Sequence, residues 1–236
     1  MKPLHILLCT ISLLQYLEGN SQQVSDTIVD KQYYGLRLGI DLSKPITSLV
    51  ENNHKAFEIQ GDMRLANSYY AVMAMGHTDK HGTEDYLDFT TKGSYFKVGV
   101  NYNAYKNWTG MRNEVFIGLR YGMSLFKQTL NSFSPNSHGS YFDTDLLTPM
   151  TDYKDLSAHW VSLAFGMKVE TFKNLFLGTT VEVNKMIAST EPDNFKNLYV
   201  PGFQRVYENN MGISFTYSLS YLIPLIKKTR KIVVSP

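Results

Sequence analysis

This chain has almost no cysteine. Its one thiol, Cys9, sits in an N-terminal apolar stretch behind Leu7 and Leu8, without the small residues expected before a lipidated cysteine. Disulfides, thiolate nucleophiles and cysteine-based metal sites are thereby excluded from the remainder. A strong charge of either sign is also missing. The balance is +2 at pH 7, so bulk attraction to nucleic acid is not expected. Long hydrophobic runs are absent too. No internal stretch reaches the roughly 18 consecutive apolar residues of a spanning helix, so any membrane crossing would have to be made by strands. No catalytic or cofactor motif stands out, and neither a cofactor nor a metal is expected.

Aromatic side chains are abundant. They make up 13% of the 236 residues, with 16 tyrosines among them. Tyr and Trp favour places where one end of the ring is dry and the other wet. The N-terminus has the order of a secretory signal: Lys2, an apolar run from Leu4 to Leu17, then Glu18-Gly19-Asn20-Ser21. Residues 1–21 are read as a cleaved signal peptide and 22–32 as a flexible lead. Residues 33–226 are read as one folded domain and 227–236 as a basic tail containing Lys227, Lys228, Arg230 and Lys231.

From Tyr33 onward the dominant hydrophobic period is two, which argues strands. The first run places Tyr34, Leu36, Leu38, Ile40 and Leu42 on one face, with Gly35, Arg37, Gly39 and Asp41 on the other. Similar runs cover Phe57 to Leu65, Tyr69 to Met75, Phe96 to Tyr102, Val115 to Leu125, Val161 to Val169, Leu175 to Val183 and Met211 to Tyr221. Eight runs, each near the roughly 9–11 residues that a tilted strand needs to cross a bilayer, point to an all-β, eight-stranded antiparallel up-and-down transmembrane β-barrel. The connections alternate strictly. Those at 66–68, 107–110 and 173–174 are short; those at 45–54, 79–92, 129–156 and 188–209 are long. That asymmetry matches periplasmic turns and external loops of an outer-membrane barrel with both termini in the periplasm.

If the apolar faces meet lipid, the opposite faces fill the interior. The expected interior charge network is Arg37, Asp41, Glu58, Asp62, Arg64, Lys97, Glu114, Arg120, Lys168, Glu170 and Glu182, five bases against six acids. Buried charges persist only when paired, so this set suits a closed polar plug better than a channel. An aromatic girdle is expected at the short-turn end from Tyr34, Tyr69, Tyr105, Trp108, Phe172 and Tyr221. Phe57, Phe96, Phe126 and Trp160 are candidates for the opposite ring, with Trp160 falling on the inward parity.

Candidate chemistry is sparse. His54, His77, Asp79 and His81 near the long-loop end, with Ser137 or Ser140, are the raw material of a lipid hydrolase or acyltransferase, though without a known spacing. His77 and His81 have a helical metal-ligand spacing in a segment that does not read as a helix. Loops 129–156 and 188–209 carry Phe133, Tyr141, Phe142, Tyr153, Phe195, Tyr199, Phe203 and Tyr207 among small polar residues, the composition of a contact surface. These loops are expected to meet a surface ligand or envelope protein, with outer-membrane lipid as the other partner and the chain monomeric.

The signal, the opening strand Gln32-Tyr33-Tyr34-Gly35-Leu36-Arg37-Leu38-Gly39-Ile40-Asp41-Leu42-Ser43 and the eight-run pattern resemble an uncharacterised family of outer-membrane barrel proteins of Bacteroidetes-type bacteria. The architecture is similar to small OmpA-type and OmpX-type barrels. The resemblance implies a barrel in the outer membrane with a structural or interaction role. It implies no activity or site residues, because the family carries none. One departure concerns the C-terminus: such barrels often end on an aromatic, and here the chain continues past Tyr221. Two rival functions remain, a rim-site lipid enzyme and a secreted lipocalin-like barrel with its apolar faces turned inward around a ligand. Alternation alone does not separate inside from outside.

Overall fold

The computed structural model describes residues 28–51, 53–66, 68–84, 87–107, 111–134, 147–148, 150–192 and 196–232. The expected signal peptide lies outside them. Residues 31–228 form one compact unit.

Eight long strands close into a barrel. They are β1 (Ile28–Asp41), β2 (His54–Arg64), β3 (Tyr69–Glu84), β4 (Leu87–Asn103), β5 (Glu114–Phe133), β6 (Thr151–Phe172), β7 (Leu175–Ser189) and β10 (Met211–Ile232). Between β7 and β10 lies a short hairpin, β8 (Tyr199–Val200) and β9 (Gln204–Arg205); between β1 and β2 lies one helix, α1 (Ser43–Val50). Barrel neighbours follow chain order, and β1 meets β10 to complete the ring. At that seam the Leu42 amide donates to the Tyr217 carbonyl at 2.6 Å.

The apolar faces point out. Leu38, Ile59, Met73, Val98, Leu119, Phe165, Val181 and Phe215 are all exposed. The inner face carries Arg37, Asp62, Lys97, Glu114, Lys168 and Glu182, all buried. The lipocalin-like alternative required the reverse and is overturned by this orientation.

Size alternation inside the barrel follows from the register. An eight-stranded ring has an interior that side chains just fill, so a bulky residue needs a small one beside it. Trp160 lies directly across from Gly122, Phe116 from Gly166, and Tyr95 from Gly76. A Cβ at Gly122 would stand 2.1 Å from Trp160 Cε2. Gly122→Ala is therefore expected to lower stability by about 1–3 kcal/mol through overpacking. Gly61→Ala, whose added carbon would meet nothing nearer than 3.4 Å, is expected to change little. The urea midpoint for loss of folded-barrel gel mobility compares the two.

Three features depart from the sequence reading. Residues 28–32, expected as a flexible lead, are strand backbone, and β10 runs through 227–232, expected as tail. Strand pairing uses backbone groups that every residue here supplies, so it outlasts the side-chain pattern. Much of the link 79–92 is likewise strand: β3 continues to Glu84 and β4 starts at Leu87. With β5 and β6, these overhangs raise a tall wall on one side of the rim. Finally, α1 occupies what was read as loop 45–54.

Candidate functional site

The inward charges sort into four groups, each with as many bases as acids. Nearest the short turns, Arg112 pairs with Glu170, its Nε donating at 2.9 Å. Next, Arg37 lies 2.6 Å from Asp62 and 2.7 Å from Glu114, while Lys168 also pairs with Asp62. The Arg37 guanidinium stands 5.1 Å from the Tyr70 and Phe176 ring centres. A third group joins Lys97 to Glu58 at 3.2 Å and to Glu182 at 3.3 Å, with Arg120 also on Glu182. Tyr95 donates to Glu58 at 2.6 Å and Ser214 to Glu182 at 3.2 Å. Last, Lys44 of α1 turns inward and stands 4.0 Å from Asp41. Burial pulls the Lys44 ammonium below its ordinary range, a shift that Glu58 and Asp41 oppose.

Two of these bases were missed by strand parity. Lys44 is on a helix and Arg112 in the β4–β5 turn, where a period of two says nothing. The signal was the surplus acid in the inner-face count. Arg64, by contrast, was expected inside; it lies at the short-turn mouth, 5.9 Å from the Tyr70 ring, with Nε donating to the Ala66 carbonyl at 3.2 Å. A space of about 20 Å³ bordered by Asp62, Lys97, Arg120 and Lys168 separates the middle groups. It is large enough for one water and too small for a hydrated ion.

Above the charges the lumen turns apolar, and the connection from β7 to β10 folds back into it. Val200 and Phe203 pack with Tyr95, Phe126, Leu156, Trp160 and Met186. Tyr199 joins Phe89 and Leu130 one level higher. Phe203 meets Trp160 edge-on at 5.8 Å, and its carbonyl accepts from Asn184 Nδ2 at 3.1 Å. Gly202 turns the hairpin with φ +80, and a Cβ there would be 2.4 Å from the Tyr95 ring. Burial, assisted by the Glu51 charge, raises the Tyr199 phenol above its ordinary range, so it stays neutral. Of the loop aromatics read as a contact surface, Tyr199 and Phe203 thus face inward. Tyr207 is exposed, Phe133 and Tyr153 are partly buried, and Tyr141, Phe142 and Phe195 lie outside the described residues.

Beside this lid a cleft of about 980 Å³ opens against the tall wall. Phe89, Leu198 and Tyr199 supply its apolar sides, and Lys80, His81 and Arg205 its basic ones. It is a ligand-sized space at the rim.

Among the described residues the histidines do not gather into one catalytic group. His77 points outward, with Nδ1 2.9 Å from Ser94 Oγ and Phe57 stacked on its ring. Asp79 is taken by Lys92 at 3.0 Å. His81 Nε2 faces Asp88 at 3.2 Å and its Nδ1 faces Thr90 at 3.1 Å. His54 faces Tyr199 across 6.3 Å. Ser137 and Ser140 lie outside the described residues. His77 and His81 sit on one strand, four residues and so roughly 13 Å apart, too far to share an ion.

At the short-turn end Tyr69, Tyr105, Phe172 and Tyr221 are exposed, joined by Tyr102, which lies 5.3 Å from Tyr69. The Tyr34 side chain and Trp108 lie outside the described residues. The opposite ring requires a correction. Phe57 and Phe96 face out, but Phe126 and Trp160 are buried inside, because both share the parity of the inner face. Asn107 clasps its own turn through two hydrogen bonds with the Asn113 backbone, at 2.7 and 2.8 Å.

A family model described as a domain of unknown function (DUF6048) matches residues 2–228. No curated protein matches. Among solved structures, Ail, the attachment invasion locus protein of Yersinia pestis, is similar over 83% of this chain and 99% of its own, at 8% identity and a TM-score of 0.37.

Proposed function

This chain belongs to the DUF6048 family, a domain of unknown function, and we propose from its own physics that it spans an outer membrane as a closed barrel with a structural or interaction role. One observation carries the reading. The barrel's outer surface is apolar from the aromatic end to the rows of Met63 and Ile59, while every charge described in its lumen has an opposite partner. A soluble protein has no reason to turn its hydrophobic faces out and its charges in. In lipid, the arrangement leaves no open sheet edge. The short turns then lie in the periplasm and the tall wall and lid outside. Residues 1–21 act as the cleaved export signal, and the source is a Bacteroidetes-type envelope.

With the lumen filled, contact with the surroundings belongs to the outer rim. The cleft beside the lid is the natural seat for a surface ligand or envelope protein, reached from loops 129–156 and 188–209. The lipid-enzyme alternative is weaker, since His77 and His81 take separate partners.

The test is direct. Membrane fractionation should place the protein with the outer membrane, and unheated samples should run faster on gels than boiled ones. In planar bilayers the folded chain is expected to insert without the stepwise conductance of an open pore. A soluble periplasmic protein with no mobility shift would overturn the reading; steady ion conduction would overturn the closed lumen.

A further inference from the structure

Cross-strand register marks where the apolar surface stops. Ile59, Met75, Phe96 and Met123 lie side by side on β2 to β5. The next outward row is mixed: Phe57, His77, Ser94 and Leu125. The row after that is Lys55, Asp79, Lys92 and Lys127, in direct succession across the same four strands. Three lysines against one aspartate leave this row at +2. Asp79 is matched by Lys92 at 3.0 Å. Strand β6 adds Lys154 and Asp155, both exposed, near the bulge that follows Phe126.

Immediately above stands α1, whose polarity is unusual for a rim helix. Its buried residue is Lys44, while Ile46, Leu49 and Val50 are exposed, Leu49 to 84%. The helix is tethered through Ser43 Oγ, which donates to Asp41 at 2.6 Å, and Ser48 Oγ, which accepts from the Ala56 amide at 3.1 Å. A solvated helix end would not bury its lysine and expose its leucine and valine. Between α1 and the wall runs an outward groove of about 510 Å³, lined by Pro45, Leu49, Ala56 and Phe57, with Lys55 and Lys92 at its edge. The groove is edged by Lys55 and Lys92 and by Asp79, which pairs with Lys92, so its edge carries a net positive charge beside an apolar slot and is complementary to a chain-bearing lipid with an anionic head.

We propose that this groove holds a phosphate-bearing lipid of the outer leaflet, its acyl chain under Leu49 and against Phe57, its phosphate over Lys55 and Lys92. The inference rests on the outer-membrane reading and adds a lipid class to it. Lys127 continues the basic row and would meet a second phosphate or a neighbouring headgroup. Each surface lysine adds to attraction for anionic lipid, and the groove adds contact along the chain.

The experiment uses the full folded chain in neutral detergent, with two probes measured by native mass spectrometry: a bisphosphorylated lipid A and the same glycolipid without phosphates. The wild type is expected to retain the phosphorylated probe about tenfold better than its counterpart. K55Q/K92Q should lose about tenfold for the phosphorylated probe alone. L49N should weaken both probes, and K173Q, in the β6–β7 turn, neither. Heat-dependent gel mobility confirms that each variant is folded. Equal retention by K55Q/K92Q and wild type, or no preference for phosphate, would overturn the proposal. A chain that fails to insert into vesicles would sink the outer-membrane reading and this inference together; an inserted, folded barrel without lipid discrimination would sink only the latter.

Discussion

Arg37→Ala is expected to destabilise the barrel by about 3–5 kcal/mol, because it leaves buried carboxylates short of a cation. Arg37 serves both Asp62 and Glu114, and its side chain is 4% exposed. Once it is gone, Lys168 alone faces two buried acids. Neutrality then predicts a partial rescue. Arg37→Ala combined with Glu114→Gln leaves one base and one acid, Lys168 with Asp62, and should recover part of the loss. Arg37→Lys should recover less than a charge count suggests, since an ammonium does not reproduce the guanidinium's contact with both Glu114 oxygens, at 2.7 and 2.8 Å. Arg64→Ala, at the wetter mouth, should cost below about 1 kcal/mol. Urea titrations followed by gel mobility rank these four. An Arg37→Ala midpoint equal to wild type would mean that the inward register is wrong at β1.

Phe203→Ala is expected to undock the lid while leaving the barrel standing. Removing a fully buried phenylalanine costs about 3–5 kcal/mol. Here the loss falls on a short segment whose anchors are Phe203, Val200 and the Asn184 hydrogen bond. Even 3 kcal/mol raises the open population of the lid about a hundredfold. Trypsin added to the folded chain reads this out as faster cleavage after Lys196 or Arg205. Tyr207→Ala, removing an exposed ring, should not change the cutting rate. The variant should still block ions, because the paired charges below the lid are untouched. Cleavage at the wild-type rate would show that the hairpin is not held by its aromatic plug.

Much of the barrel is legible in the sequence because a strand with an apolar outward face and a polar lumen face has two unlike sides. Val115 to Leu125 alternates without a break, and β5 has that parity throughout. Legibility fades where both faces share one surrounding. From Thr78 to Glu84 the residues on either side of β3 are polar, so the overhang reads as loop. The helix α1 spans only eight residues, about two turns, with Pro45 among the first, and so short a stretch offers little helical period. Lys44 and Arg112 stood outside any strand pattern, and only charge balance hinted at them. Trp160 and Phe126 show the opposite case: their parity placed them inside, and their aromatic character wrongly suggested the rim. What the lid covers was not legible, because Tyr199, Val200 and Phe203 carry no mark of the wall they meet.

The ion pairs also constrain how the barrel is assembled. Arg37 reaches Glu114 across 77 residues, Lys97 reaches Glu182 across 85, and Lys168 reaches Asp62 across 106. None of these three contacts is local: the β1–β2 hairpin can match Arg37 with Asp62, but Glu114, Lys97 and Lys168 start without these distant partners. A half-built sheet in lipid would expose raw strand edges and lone ions at once, each disfavoured. The long-range partners become available only when early and late strands curl round to face one another. On the proposed outer-membrane reading, entry into the bilayer and closure of the ring are therefore one event, and a kinetic trace of insertion should show a single cooperative phase with no stable half-inserted species.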